Sequence, residues 1–123
     1  MKLKYLLAML ITMLAHTASA DAVYGALAIN RSAVGQYGLA VGASSSFIAD
    51  SSARADCGWP TAPCTVVLRF GPRQCIAYAV EASSNAAGWG ISRNAEQAEE
   101  TATGNCAANG AKGFCNLLLS QCY

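Results

Sequence analysis

The chain has 123 residues, 54% of them hydrophobic and 12% charged, with a formal net charge of +1. A length of this order holds one domain with a modest core. A balance this near neutral excludes the electrostatic footprint of a nucleic-acid or anionic-membrane binder.

The first twenty residues read as a cleaved signal peptide. Lys2 and Lys4 form a basic start, "YLLAMLITML" (residues 5–14) is a short apolar run, and "ASA" (residues 18–20) has the small-x-small pattern cut by signal peptidase. The run is too short to anchor in a bilayer. No Cys follows it closely, so no membrane anchor is expected. Cleavage after Ala20 leaves residues 21–123 as one exported α+β domain. Lys2, Lys4 and His16 leave with the signal, so six basic residues stand against seven acidic ones and no histidine remains.

From Tyr24 the chain says one thing twice. "GALAIN" (residues 25–30) alternates Ala26 and Ala28 with Leu27 and Ile29, the period of a half-buried strand. "RSAVGQ" then turns the chain, and Tyr37-Gly38 opens a second strand, "YGLAV". A Ser-rich helix over about 45–56 follows, with Phe47, Ile48, Ser51 and Ala55 as its expected inner face. It ends at Cys57; after "GWPTAP", Cys64 starts a third strand, "CTVVLRF".

The second half matches. "IAYAVE" (residues 76–81) repeats the alternation, "ASSNAAG" is read as the turn, and Trp89-Gly90 opens "WGIS". Asn94 is placed to cap a helix, with Gln97 completing a capping box. Ala95, Ala98, Ala102 and Cys106 fall on one narrow face, small enough for the helix to lie close to a sheet. "AANGAKGF" leads to Cys115 and a last strand, "CNLLLSQ", before Cys122. The unit is therefore β-β-α-β, used twice over about 22–74 and 75–123, with pseudo-twofold symmetry. The expected product is one mostly antiparallel sheet of about six strands with both helices packed on it.

Cys57, Cys64, Cys75, Cys106, Cys115 and Cys122 are separated by 6, 10, 30, 8 and 6 residues, which does not suit zinc, and an even count in an exported domain predicts three disulfides. Six cysteines allow fifteen pairings. Cys115 and Cys122 are divided by a strand roughly 23 Å long and cannot bridge across about 5.5 Å. Cys57–Cys64 and Cys106–Cys115 flank loops that return each helix to the sheet. Cys75–Cys122 joins positions read as equivalent, and so is expected to tie the halves together.

In this doubled unit the chain resembles the small secreted bacterial proteins grouped as domain of unknown function 4189. The "YGALAI" and "CIAYAV" strands, the "YG" and "WG" pairs and the "CTVVLRF…QC" segment carry the resemblance over the whole exported part. It implies export and a compact disulfide-bonded domain, and no particular reaction. A role countering a secreted toxin is the one functional hypothesis it adds.

Chemistry is sparse. Without histidine a serine nucleophile lacks its usual base; "SSS" (residues 44–46) reads as cap and loop, and Lys112 as a solvated loop lysine. Glu96, Glu99 and Glu100 are the only carboxylate cluster, suited to a solvated helix start where the dipole favours negative charge. Asp50 and Asp56 lack the alternating oxygen ligands of a cation loop. No catalytic set, metal or cofactor is expected. Tyr37, Trp89 and above all Trp59, in its Pro-containing loop between two cysteines, are the candidates for a binding surface, the alternative for each being core packing. The favoured function is a non-enzymatic secreted or periplasmic binding domain whose partner is another envelope or secreted protein, such as a toxin it neutralises. An envelope hydrolase using the acidic helix, or a structural envelope component, are the alternatives.

Overall fold

The alternation in the first strand contrasts large with small rather than apolar with polar, and the fold follows from that. In the computed structural model, which describes residues 23–123, strand β1 (Tyr24–Asn30) is buried on both faces from Gly25 onward. Its small side chains, Ala26 and Ala28, pack against a helix; its large ones, Leu27 and Ile29, pack against a second sheet. The signal peptide expected at 1–20 lies outside the described residues.

The remaining elements are β2 (Tyr37–Ala43), α1 (Ser46–Cys57), β3 (Cys64–Phe70), β4 (Cys75–Glu81), a 3-10 turn (Ala82–Ser84), β5 (Ala86–Ser92), α2 (Ala95–Ala108) and β6 (Asn116–Cys122). The doubled β-β-α-β unit read from the sequence is present. The six strands do not join in one sheet, however. They form two antiparallel sheets of three, ordered β2-β1-β3 and β5-β4-β6. The segment 71–74 carries the chain from the first sheet to the second.

Each central strand has a small-residue face and a large-residue face, and this divides the sheet. Ala77 and Ala79 of β4 lie against Ala98, Ala102 and Cys106 of α2. Ile76, Tyr78 and Val80 face Leu27 and Ile29 across the molecule. The layers therefore run helix, sheet, sheet, helix. Full burial of a Leu or Ile contributes about 1.5–3 kcal/mol, so the large faces hold the two halves together. Polar ties reinforce them: Asn85 accepts from the Val34 amide (3.1 Å) and donates to the Arg31 carbonyl (3.1 Å), while the Gly35 amide donates to the Tyr78 hydroxyl (3.2 Å).

The inner face of α1 is Ala49, Ala53 and Cys57, and the sequence expectation is corrected here. Phe47 is 78% exposed and Ile48 45% exposed. The helix backbone rests directly on Gly38, leaving room at the contact only for alanine-sized side chains. In the second half Ala98, Ala102 and Cys106 are buried as expected. The cap also forms, with one change: Asn94 accepts from the Gln97 amide, but the Gln97 side chain reaches back through the Ser92 hydroxyl, which in turn accepts from the Asn94 amide.

Two further readings shift. Gly38 pairs with Ala28 and Gly88 with Ala79, so Tyr37-Gly38 corresponds to Ala87-Gly88 and the aromatic of the second half stands two residues further along. Trp89 is thus mid-strand, and the turn is confined to Ala82–Asn85, with Asn85 in the left-handed region (φ 53°). The three bridges are Cys57–Cys64, Cys106–Cys115 and Cys75–Cys122. Cys75 and Cys122 face one another on β4 and β6, so this bridge fastens an edge strand within the second sheet and does not tie the halves to each other.

Candidate functional site

The concave surface that carries most chemistry lies between α1 and the edge strand β3. It begins with the end of α1. Gly58 takes φ 120°, a conformation that favours glycine, and its amide donates to the carbonyls of Arg54 and Ala55. The Trp59 amide bonds the Arg54 carbonyl at 2.9 Å, and Ala62 N–H bonds Gly58 O at 2.8 Å. With the Cys57–Cys64 bridge closing the same loop, Trp59 stands on a doubly fastened platform, 46% exposed.

Arg54 covers the indole: its guanidinium carbon lies 4.0 Å from the Trp59 ring centroid, within cation–π range. One turn earlier, Asp50 takes the Arg69 guanidinium from β3 in a fork of bonds at 2.8–3.1 Å. Arg69 is largely open to water and Asp50 partly so, and such a pair contributes no more than about 1 kcal/mol. Its effect is geometric, since it fixes Arg69 and occupies both Asp50 oxygens. Asp50, Arg54, Trp59, Thr65, Val66 and Arg69 are among the residues lining a groove of about 360 Å³.

Tyr37 and Trp89 do not join this groove. Both pack into the layer between the sheets. Tyr37 meets Tyr78 edge-on at 5.6 Å, and Trp89 pairs in register with Tyr78 beneath the Arg31 guanidinium. Of the three candidate aromatics, Trp59 lines this groove, while Trp89 lines a separate one with Arg31 and Asn85.

The acidic helix offers less. Glu96 and Glu100 are exposed, and Glu99 accepts a bond from the Ser120 hydroxyl. Among the serines, Ser45 caps α1 by accepting from the Ile48 amide at 3.1 Å, and Ser51 bonds the Phe47 carbonyl. Among the described residues no three His, Cys, Asp or Glu side chains gather as a metal site requires.

One buried carboxylate escaped the sequence reading. Glu81, only 8% exposed, accepts from the hydroxyls of Ser83 (3.2 Å) and Ser84 (2.6 Å) and from the amides of Lys112 (3.0 Å) and Gly113. The Ser84 hydroxyl first, then the Lys112 amide, hold its carboxyl below the usual glutamate range. A carboxylate so stabilised is a poor proton acceptor. It serves to fasten the loop before Cys115 to the end of β4. A signal was present: Glu81 occupies the repeat position of Asn30, which is also buried and also organises a turn, accepting from the Ser32 amide.

The chain matches the family described as "Domain of unknown function (DUF4189)" over residues 24–122, nearly all of the described part, and it belongs to that family. No curated protein and no solved structure matches it.

Proposed function

We propose that this member of the DUF4189 family is an exported, non-enzymatic binding domain that docks on another envelope or secreted protein through the face around Trp59. Immunity to, or inhibition of, a secreted toxin is the finer role we assign to it. The observation that carries the reading is the half-exposed Trp59, held on a disulfide-closed loop with Arg54 stacked upon it. Such rigid aromatic–arginine anchors are the residue types that dominate binding energy at protein interfaces. The three disulfides belong to an oxidising compartment, in keeping with the secretory pattern of residues 1–20. Among the described residues no helix is long and apolar enough to cross a membrane. The hydrolase alternative gains no support, because the three helix glutamates are solvated or engaged with Ser120.

The test is site-specific photo-crosslinking from position 61, exposed beside Trp59 in the same loop, in the intact envelope. A single discrete adduct, lost when Arg54 is changed to Ala but retained when the exposed Phe47 is changed to Ser, is the expected result. Adducts spread over many proteins, or a signal indifferent to Arg54, would remove the docking reading.

A further inference from the structure

Arg54 is a cation with an aromatic ring beside it and no carboxylate partner among the described residues. A guanidinium has five donors in a planar fork and no acceptor. The Trp59 ring centroid lies 4.0 Å from the guanidinium carbon and offers the charge a π cloud, which takes the place of no carboxylate acceptor. Among the described residues Arg54 donates no side-chain hydrogen bond; its Nε is buried without an acceptor, closed to water and to a ligand alike, so the two Nη groups are the donors left for a ligand. Asp50, four residues earlier on the same helix, would be its natural partner, but both Asp50 oxygens are taken by Arg69. The Arg69–Asp50 pair is the one ion pair among the described residues.

The groove therefore holds two guanidiniums against one carboxylate, a surplus of one positive charge. We infer that it recognises a single carboxylate of an acidic side chain on the docking partner, received end-on by the two Nη groups of Arg54 with its alkyl stem against Trp59. The inference rests on the docking reading proposed above and specifies its chemistry. A planar carboxylate matches the guanidinium edge in a bidentate fork. A phosphate dianion would exceed the local charge by one and stand against Asp50. Exposed Thr65, on the β3 wall of the same groove, adds a hydroxyl at its rim.

The experiment titrates the disulfide-intact protein with the peptide acetyl-Gly-Glu-Gly-amide while following the Arg54 Nε–H and Trp59 indole N–H resonances. A saturable shift of both is expected, with the Gln peptide roughly tenfold weaker or worse, as loss of a charge-assisted bond implies. Arg54→Gln should abolish the response and Arg54→Lys should weaken it. Asp50→Asn, which removes the competing carboxylate and frees Arg69, should tighten binding of the Glu peptide, and it decides the question if Arg54→Gln proves unstable. Equal response to the Glu and Gln peptides, a response that survives Arg54→Gln, or no tightening in Asp50→Asn would overturn the inference, as would preferential binding of inorganic phosphate. If crosslinking from position 61 still yields its Arg54-dependent adduct while the peptides are not discriminated, the docking reading stands and only the carboxylate falls.

Discussion

Gly38 lies directly beneath Ala53, so close that a Cβ on the glycine would overlap the Ala53 carbonyl oxygen and the Cys57 amide nitrogen. Gly88 stands in the same relation to Ala102 and Cys106. In both halves the helix thus rests on strand backbone, with only small side chains at the contact. Gly38→Ala and Gly88→Ala should each lift a helix from its sheet and destabilise by about 1–3 kcal/mol or more. Phe47→Ser, on the outer side of α1, should change stability by no more than about 0.5 kcal/mol. Urea denaturation of the three variants measures this; a Gly38→Ala midpoint equal to that of Phe47→Ser would refute the backbone contact.

That contact also explains what the sequence could and could not disclose. Alternation of Ala with Leu, Ile, Tyr and Val marks β1 and β4 plainly, because strand side chains must alternate between faces. Equal treatment of the two halves follows from their matched order of strands, helix and cysteines. The face of α1 was not legible, since apolarity points to Phe47 and Ile48 while the real criterion is small size against Gly38. Nor was the split into two sheets: period two shows that both faces of a strand are occupied, not what occupies them. At the site, a Trp between Gly and Pro in a loop between two cysteines marks a candidate anchor but leaves core packing open; the fold decides for exposure. Arg54 announces nothing, because an Arg in a last helical turn is ordinarily a dipole partner; only the position of Arg69 across the groove shows that Asp50 is already engaged.

The disulfides differ in reach. Cys57–Cys64 spans 7 positions and Cys75–Cys122 spans 47. Loop-closure entropy then gives the short bridge about 2.5 kcal/mol and the long one about 4 kcal/mol of constraint on the unfolded chain. The double change Cys75→Ser with Cys122→Ser should therefore lower the unfolding free energy more than Cys57→Ser with Cys64→Ser. Since Cys75 and Cys122 fasten β6 to β4, the loss should also appear as faster amide exchange along β6. The reverse order of stabilities would contradict the entropic account.

Export leaves a mass signature. Protein recovered from the envelope or the medium should begin at Asp21 and weigh two hydrogens less per disulfide than after reduction. An intact mass that retains residues 1–20, or a folded form with titratable thiols, would contradict export with three closed bridges.

Glu81 ties folding to acid. Its carboxyl is held below the glutamate value of 4.5 by hydroxyl and amide donors, the Ser84 hydroxyl foremost. The folded state thus favours the ionised form more than the unfolded chain does. The resulting stability is fully present above the unfolded value and is lost as pH falls through the lower, folded one. The loop that presents Lys112 and Gly113 should loosen in that window ahead of the sheets, because its amides lose their acceptor while the strand ladders keep theirs. Glu81→Gln removes the titration while preserving the shape. It should lower stability at neutral pH and flatten the acid limb of the stability curve. Amide exchange at Lys112 and Gly113, followed against pH in both proteins, checks the mechanism. If the two acid limbs have the same slope, or if these amides stay protected in Glu81→Gln, the carboxylate is not what fastens the loop.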